Sequence, residues 1–208
     1  MIKNILLDIG SVLLQFDREA TIREYSCYSG TSAPAELAFD SVFLPGLWQK
    51  METGEMTSQE YYELFRQASG CRISYRHFCL IWCMHFREDR EMIALGRALA
   101  SKFKLYFLSN TGPLHIPGLY DRFPSLLFFH GQALSWDLGV LKPDPAFFAR
   151  ALDKFSLRAP ECLFIDDQLC NVETARALGI QSIQHLSAEK TAAAISAALD
   201  LDGASPEL

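Results

Sequence analysis

The sequence predicts an α/β fold: a Rossmann-like three-layer core around a central parallel sheet, with a small all-helical cap inserted after the first strand. Two apolar runs that end in acids, at Asp8 and at Asp166, are typical of buried strands. Strand-like and helical patterns alternate in the second half of the chain, as they do in βαβ units. The predicted core is therefore residues 1–15 and 88–208, and the predicted cap is residues 16–87.

The remaining core elements follow from apolar patterning. Further strands are predicted at residues 102–109, 125–130 and 179–184. Helices are predicted at residues 143–155, 172–178 and 190–199. The first of these helices has an early proline and apolar residues at helical spacing. The second ends before Gly179, a residue type that is favoured just past a helix C-terminus.

The cap is predicted to be helical throughout. Its helices are expected at residues 18–29, 33–42, 58–68 and 75–86. Thr57 followed three residues later by Glu60 is a capping-box pattern for the third helix. Breaks fall at Gly30, Pro45-Gly46, Gly54 and Gly70. An insertion at this point of the chain would lie over the carboxyl edge of the parallel sheet.

Composition narrows the function classes. A net charge of −6 without a basic block argues against nucleic acid or an anionic membrane as the main partner. No apolar stretch approaches the roughly 18 residues that span a bilayer. Six cysteines without framework spacing, and no export signal, favour reduced thiols in the cytoplasm. The oligomeric state stays open.

Four short segments at or beyond strand ends carry the candidate chemistry. They are Asp8-Ile9-Gly10, Leu108-Ser109-Asn110-Thr111, Val140-Leu141-Lys142-Pro143, and Asp166-Asp167 with Asn171 beyond it. Buried carboxylates that converge need a compensating cation. Mg²⁺ prefers carboxylates together with phosphate oxygens and water. An Asp can attack phosphorus as a nucleophile, while an ammonium and a hydroxyl bind the phosphoryl oxygens.

With these four segments in order, the chain resembles the haloacid dehalogenase-like superfamily over nearly its whole length, and the helical insertion resembles that family's C1 cap. Within the superfamily it is most similar to the sugar-phosphatase-like branch, which includes bacterial α-glucose-1-phosphate phosphatases and shares an Asp-x-Gly-x-Val first motif. The resemblance implies a Mg²⁺-dependent phosphatase of a small phosphorylated metabolite, in the first place a sugar phosphate.

The resemblance also implies a metal site. Asp8 would be the nucleophile and a Mg²⁺ ligand, and Asp167 the second carboxylate ligand. Asp166 beside it would be a ligand or an outer base, and the backbone carbonyl of Gly10 would complete the protein ligands. Asn171 would not bind the metal itself, but would orient the loop that carries the two acids.

A phosphate site is implied beside the metal. Ser109 and Asn110 would hold the phosphoryl group. Lys142 would bridge Asp8 and the phosphate.

Gly10 departs from the family pattern, because most family phosphatases carry an Asp there that protonates the leaving oxygen. General acid–base help is typically worth about 10²–10⁴-fold in rate. Three explanations are open: a leaving group that needs little help, such as an anomeric oxygen; a stand-in acid such as Asp17, Glu19 or a cap residue; or a slow or inert protein. The first two are favoured, since active enzymes of the resembled branch share the substitution.

Two groups in the cap have competing interpretations. Trp48, Gln49 and Glu52 either face the substrate or belong to ordinary cap packing. A second group, His77, Cys79, Cys83 and His85, could bind a soft metal, but the apolar run around the cysteines is more typical of a buried helix.

Two alternative functions remain at this point. In a 2-haloacid dehalogenase, Asp8 would attack carbon without a metal, but such enzymes generally lack an acid pair like Asp166-Asp167. A phosphometabolite-binding pseudoenzyme is the other alternative, because Gly10 supplies no acid.

Overall fold

The computed structural model describes residues 1–28 and 46–201. The cap helix predicted at residues 33–42 lies outside these ranges, as do the predicted breaks at Gly30 and Pro45. In the described part of the chain, no helix is long and apolar enough to cross a membrane.

The strands of the described residues form two sheets. In chain order they are β1 (Asn4–Leu7), β2 (Leu14–Phe16), β3 (Phe86–Glu88), β4 (Lys104–Ser109), β5 (Gly131–Leu134), β6 (Cys162–Asp166) and β7 (Gln181–Gln184). The central sheet has the order β5-β4-β1-β6-β7, and each neighbouring pair is parallel. All four residues of β1 are buried, as expected for a middle strand that is covered on both faces.

Helices cover both faces of this sheet. The helices of the described residues are α1 (Arg18–Ser26), α2 (Leu47–Glu52), α3 (Ser58–Ser69), α4 (Tyr75–Met84), α5 (Arg90–Ala100), α6 (Ile116–Arg122), α7 (Ser135–Leu138), α8 (Pro145–Phe155), α9 (Leu169–Ala177) and α10 (Ala188–Leu201). Ile5 and Leu7 pack into one apolar cluster with residues of α5 and α10. Leu6 packs into the opposite cluster with residues of α8 and α9. The three-layer α/β core is therefore confirmed.

The strand predicted at residues 125–130 is wrong. Pro124–Phe128 is a 3₁₀ helix, and β5 begins only at Gly131, which pairs with Tyr106. Proline fixes φ and has no N–H to donate, which favours a turn at this point. Gly131 suits the strand because a Cβ there would lie 2.8 Å from the Phe155 ring.

The antiparallel pair of β2 and β3 was not predicted. Phe16 pairs with Phe86 at the two ends of the helical insertion, and the ring centroids are 4.9 Å apart. Strands of three residues are too short to show a period in the sequence. The division at residues 16 and 87 falls inside this pair and stays a prediction.

The described cap helices pack around aromatic side chains. The cluster includes Tyr25, Tyr61, Tyr62, Phe65, Phe78 and Trp82. The capping box between Thr57 and Glu60 is present at the start of α3, as predicted. Cys83 lies in the same cluster, and burial raises the pKa of its thiol to about 12. Among the described residues, the metal-competent group of His, Cys, Asp or Glu lies elsewhere, so the soft-metal interpretation is not supported.

We expect Gly54→Ala to destabilise the protein more than Gly179→Ala. Both glycines have positive φ, +77° and +81°, where an L side chain costs roughly 1–2 kcal/mol. A Cβ at Gly54 would also lie 2.9 Å from the carbonyl oxygen of Trp136, whereas one at Gly179 meets nothing within 4 Å. Urea unfolding of both variants measures the difference, and equal losses would show that the contact with Trp136 is unimportant.

Candidate active site

The candidate site lies at the carboxyl ends of β1, β4 and β6. Asp8 follows β1, Ser109 ends β4 and Asp166 ends β6. Because these three strands are adjacent and parallel, their last residues meet at one edge of the sheet. All three side chains are buried. A cavity of about 180 Å³ opens here, lined among others by Asp8, Ser109 and Asp167.

Lys142 is the cation of this edge. Its Nζ lies 3.0 Å from Oδ1 of Asp8 and 2.6 Å from Oδ2 of Asp166, and donates to the carbonyl of Leu108 at 2.7 Å. Burial alone would lower the Lys142 pKa, but the two carboxylates outweigh it and hold the pKa above its ordinary value. Lys142 is therefore a fully buried ammonium.

Among the described residues, the Lys142 ammonium alone does not offset the cost of burying the negative charge of Asp8. Burial raises the pKa of Asp8 to about 6 against the pull of Lys142, and the charge of Asp166 raises it as well. The contact with Lys142 is an ion pair without hydrogen-bond alignment at Oδ1. Carboxylate oxygens of Asp8, Asp166 and Asp167 all lie within 4.8 Å of one another. Three acids facing one ammonium form a site that fits a divalent cation.

The two neighbouring acids have different surroundings. Oδ2 of Asp166 is held by Lys142, and its Oδ1 accepts hydrogen bonds from the backbone N–H of Gln168 and from Nδ2 of Asn171, both at 2.9 Å. Asp167 is half-buried and lines the cavity. Its pKa is raised by burial and by the charge of Asp166. Asp166 thus organises the loop, while Asp167 is the acid that borders open space.

Asn110 is engaged with the backbone of Lys142. Its Oδ1 accepts from the Lys142 N–H at 2.7 Å, and its Nδ2 donates to the Lys142 carbonyl at 2.9 Å. The sequence suggested that Asn110 holds a phosphoryl group; its side chain instead fixes the position of the lysine. Its backbone N–H and the second hydrogen of Nδ2 are left for an anion.

Thr111 and Ser135 were missed by the sequence reasoning. The hydroxyl of Thr111 lies 2.8 Å from that of Ser109, and the backbone N–H of Thr111 donates to Oγ of Ser135 at 2.9 Å. Hydroxyls two residues apart at a strand end could have drawn attention to Thr111. Ser135 is 24 residues away, so only the parallel pairing of β4 with β5 brings it close.

Gly10 lines the cavity and leaves room beside it. A Cβ at Gly10 would meet nothing within 4 Å, and its φ is not positive. The open space lies where an acid side chain at this position would begin. Neither Asp17 nor Glu19 lines the cavity in the described structure: Asp17 caps α1 through the N–H of Ala20, and Glu19 is exposed and pairs with Arg23.

A second cavity of about 200 Å³ adjoins the first, and we call it the aromatic chamber. Its lining consists of Phe16, Thr21, Tyr25, Trp48, Glu52, Trp82, Phe86 and His115. Phe86 and His115 also line the first cavity, so the two spaces share a wall. Of the predicted cap residues, Trp48 and Glu52 face the chamber, whereas Gln49 is not among its lining residues.

His115 stands uncharged at this shared wall. Burial lowers the pKa of His115 to about 4. Its Nε2 accepts a hydrogen bond from Nε1 of Trp82 at 2.7 Å, which fixes the ring against the cap.

No protein-family model matches the chain. D-ribitol-5-phosphate phosphatase of Bacteroides thetaiotaomicron is 26% identical over 191 residues, which cover 88% of this chain and 92% of that protein. Sesquiterpene phosphatase of Aspergillus oryzae is 26% identical over 156 residues, which cover 67% of this chain and 72% of that protein.

A solved structure shows the same architecture. The HAD-family enzyme of Bacteroides thetaiotaomicron in complex with magnesium and inorganic phosphate superimposes with a TM-score of 0.79 at 27% identity, covering 89% of this chain and 95% of that one. By this likeness, and by the four acid, hydroxyl and lysine segments at one sheet edge, the chain is similar to the haloacid dehalogenase-like (HAD) hydrolases.

Proposed function

We propose that this protein is a Mg²⁺-dependent phosphatase of a small phosphorylated metabolite, acting through an aspartyl phosphate on Asp8. The observation that carries the proposal is the buried Lys142 ammonium between Asp8 and Asp166, with Asp167 beside them at the edge of the cavity. This set attracts a divalent cation and a phosphoryl group together. The related phosphatases and the magnesium and phosphate complex of a HAD-family enzyme support it.

The metal would be held by Asp8, Asp167 and the backbone carbonyl of Gly10. Asp166 supports them from behind, because Lys142, Gln168 and Asn171 already occupy both of its oxygens. Bound Mg²⁺ supplies positive charge to the phosphoryl oxygens and to the acids around it.

Lys142 and Ser109 would bind the phosphoryl oxygens, with the backbone N–H of Asn110 beside them. The fixed backbone of Lys142 keeps its ammonium next to Asp8. That ammonium opposes the rise in the Asp8 pKa and so favours the ionised, nucleophilic carboxylate.

The dehalogenase alternative fits this site less well. A 2-haloacid carries a carboxylate, and the acids at positions 8, 166 and 167 would repel it unless a cation neutralised them. The acid cluster therefore favours phosphate chemistry with a metal.

The substrate's alcohol would occupy the aromatic chamber. The family resemblance and the ribitol-phosphate relative favour a sugar or polyol phosphate. The chamber itself favours a second candidate, an apolar alcohol such as a prenyl group, because five of its eight lining residues are aromatic rings of Phe, Tyr or Trp. The cytoplasmic location and the exclusion of nucleic-acid partners remain predictions from composition.

Asp8→Asn should abolish Mg²⁺-dependent hydrolysis of p-nitrophenyl phosphate. Removing a nucleophile costs on the order of 10³-fold or more in kcat. Asp153→Asn is the control, since Asp153 is an exposed acid of α8. Turnover that survives Asp8→Asn contradicts the proposal. Chloride release from a 2-haloacid without metal would support the dehalogenase, and ligand stabilisation without any turnover would support the pseudoenzyme.

Mg²⁺ should raise the Tm of the protein, and Asp167→Asn should reduce that rise. Ligand at 100 times its Kd stabilises a protein by about 2.7 kcal/mol, which corresponds to several degrees for a chain of this size. Without Mg²⁺, Asp167→Asn should be slightly more stable than the parent, because burial and Asp166 raise the pKa of Asp167. Asp153→Asn should keep the full magnesium shift. Equal shifts in all three proteins would exclude Asp167 as a ligand.

The choice of alcohol can be measured with geranyl phosphate and ribitol 5-phosphate. If the aromatic chamber binds an apolar alcohol, kcat/KM is higher for geranyl phosphate. Trp48→Ala should then lower it about 10–100-fold, as expected when apolar contacts of about 1–3 kcal/mol are lost. A higher kcat/KM for ribitol 5-phosphate, unchanged by Trp48→Ala, would identify the polyol instead.

A further inference from the structure

We propose that Glu52, at the end of cap helix α2, is the proton donor to the leaving oxygen and takes the part of the acid that Gly10 does not supply. The inference rests on the proposed phosphatase function and assigns a further catalytic residue to it. Four observations support it: the position of Glu52, its unpartnered oxygen, the chemistry of its surroundings and the empty space at Gly10.

Glu52 lies where the cap meets the core. Its Cγ is 3.3 Å from the point that a Cβ on Gly112 would occupy, and Gly112 follows Ser109 and Thr111 in the loop after β4. The side chain lines the aromatic chamber, which shares a wall with the cavity of Asp8. A phosphate ester with its phosphoryl group at Ser109 and its alcohol in the chamber has its leaving oxygen at the junction of these two spaces.

One carboxyl oxygen of Glu52 is buried without a partner. Glu52 is only 5% exposed, and its Oε2 makes no hydrogen bond to any described residue. Leaving a buried polar atom unpaired is destabilising. An acid with a purely structural role would be expected to have its partner within the fold. An oxygen that forms its hydrogen bond with the substrate has a partner only when the substrate is bound.

The surroundings of Glu52 favour its protonated form over the carboxylate. Burial raises its pKa well above the ordinary value, and the negative charge of Asp8 raises it further. The other titratable groups that face it are Tyr61, whose pKa burial and Glu52 both raise, and His115, which is neutral. No cation faces Glu52 among these neighbours, so the carboxyl group retains the proton that a leaving alkoxide needs.

The residues that directly follow Asp8, Ile9-Gly10-Ser11, offer no competing acid. A Cβ at Gly10 would meet nothing within 4 Å, so the substrate's leaving oxygen can be approached from the cap side. Asp17 and Glu19 are engaged elsewhere, at the start of α1 and with Arg23. Among the described acids, Glu52 is the protonated one at the junction.

The proposed step balances in both halves of the reaction. An oxygen of Asp8 bonds to phosphorus as the bond from phosphorus to the leaving oxygen breaks; the leaving oxygen keeps the electron pair and takes the proton of Glu52. The Glu52 carboxylate then accepts a proton from water as the water oxygen attacks phosphorus. The Asp8–phosphorus bond breaks, so that Asp8 is again a carboxylate, Glu52 is again protonated, and phosphate leaves.

The test compares two leaving groups of similar size in Glu52→Gln. p-Nitrophenolate leaves without a proton, whereas the alkoxide of benzyl phosphate needs one. We expect Glu52→Gln to lower kcat/KM on benzyl phosphate about 10²–10⁴-fold and to change kcat/KM on p-nitrophenyl phosphate by less than about tenfold. The ratio kcat/KM covers the steps up to departure of the leaving group, so it excludes the hydrolysis of the aspartyl phosphate, in which Glu52 acts as the base for both esters. Glu55→Gln, an exposed acid three residues further on, should affect neither substrate.

A rescue variant and the Tm separate chemistry from folding. Gly10→Asp in the Glu52→Gln background places an acid in the open space at Gly10 and should restore much of the benzyl phosphate turnover. The Tm of Glu52→Gln should match or exceed that of the parent, because a neutral amide replaces a buried acid.

Equal losses of kcat/KM on both substrates, or no loss on benzyl phosphate, would overturn the role of Glu52 as proton donor while the phosphatase proposal stands. Absence of turnover in the unaltered protein, on both esters with Mg²⁺, would overturn both proposals.

Discussion

The structure of the site depends on one interaction, the buried ion cluster in which Lys142 lies between Asp8 and Asp166. Each carboxylate arrives at the end of a different strand, and the ammonium between them offsets part of the cost of burying two negative charges together. Removing one partner of such a cluster typically costs about 3–5 kcal/mol. The two hydrogen bonds between the Asn110 side chain and the Lys142 backbone therefore stabilise the whole site, because they fix the residue that carries the ammonium.

The cap provides an apolar environment, in contrast to the charged edge of the sheet. Below it, charges are paired and hydrogen-bonded at the sheet edge; inside the aromatic chamber, rings surround the neutral His115 and the lone carboxyl group of Glu52. Burial and the charge of Asp8 raise the pKa of Glu52 well above its ordinary value, whereas Lys142 opposes the rise in the pKa of Asp8. Two carboxyl groups with separated pKa values are what a nucleophile and a proton donor require of one active site.

Much of the core and of the ion cluster could be predicted from the sequence, because apolar runs that end in acids place those acids at a defined edge. Short elements could not: β2 and β3 have three residues each, and the apolar run after Pro124 forms a 3₁₀ helix although it resembles a strand. The hydrogen bonds of the Asn110 side chain join it to a residue 32 positions away in the sequence. The position of Glu52 depends on how the cap packs against the loop after β4. Local patterns carry no record of such contacts.

The pairing of Phe16 with Phe86 has a consequence for how this architecture can diversify. The chain leaves the core and returns to it through neighbouring residues, roughly 5 Å apart as in any antiparallel pair. Residues between these two points can be lengthened, shortened or exchanged while the register of the central sheet stays as it is. Because the chain leaves and re-enters the core at neighbouring positions, the inserted part can be exchanged as a unit. The substrate can then change while the phosphate-binding edge of the sheet stays the same.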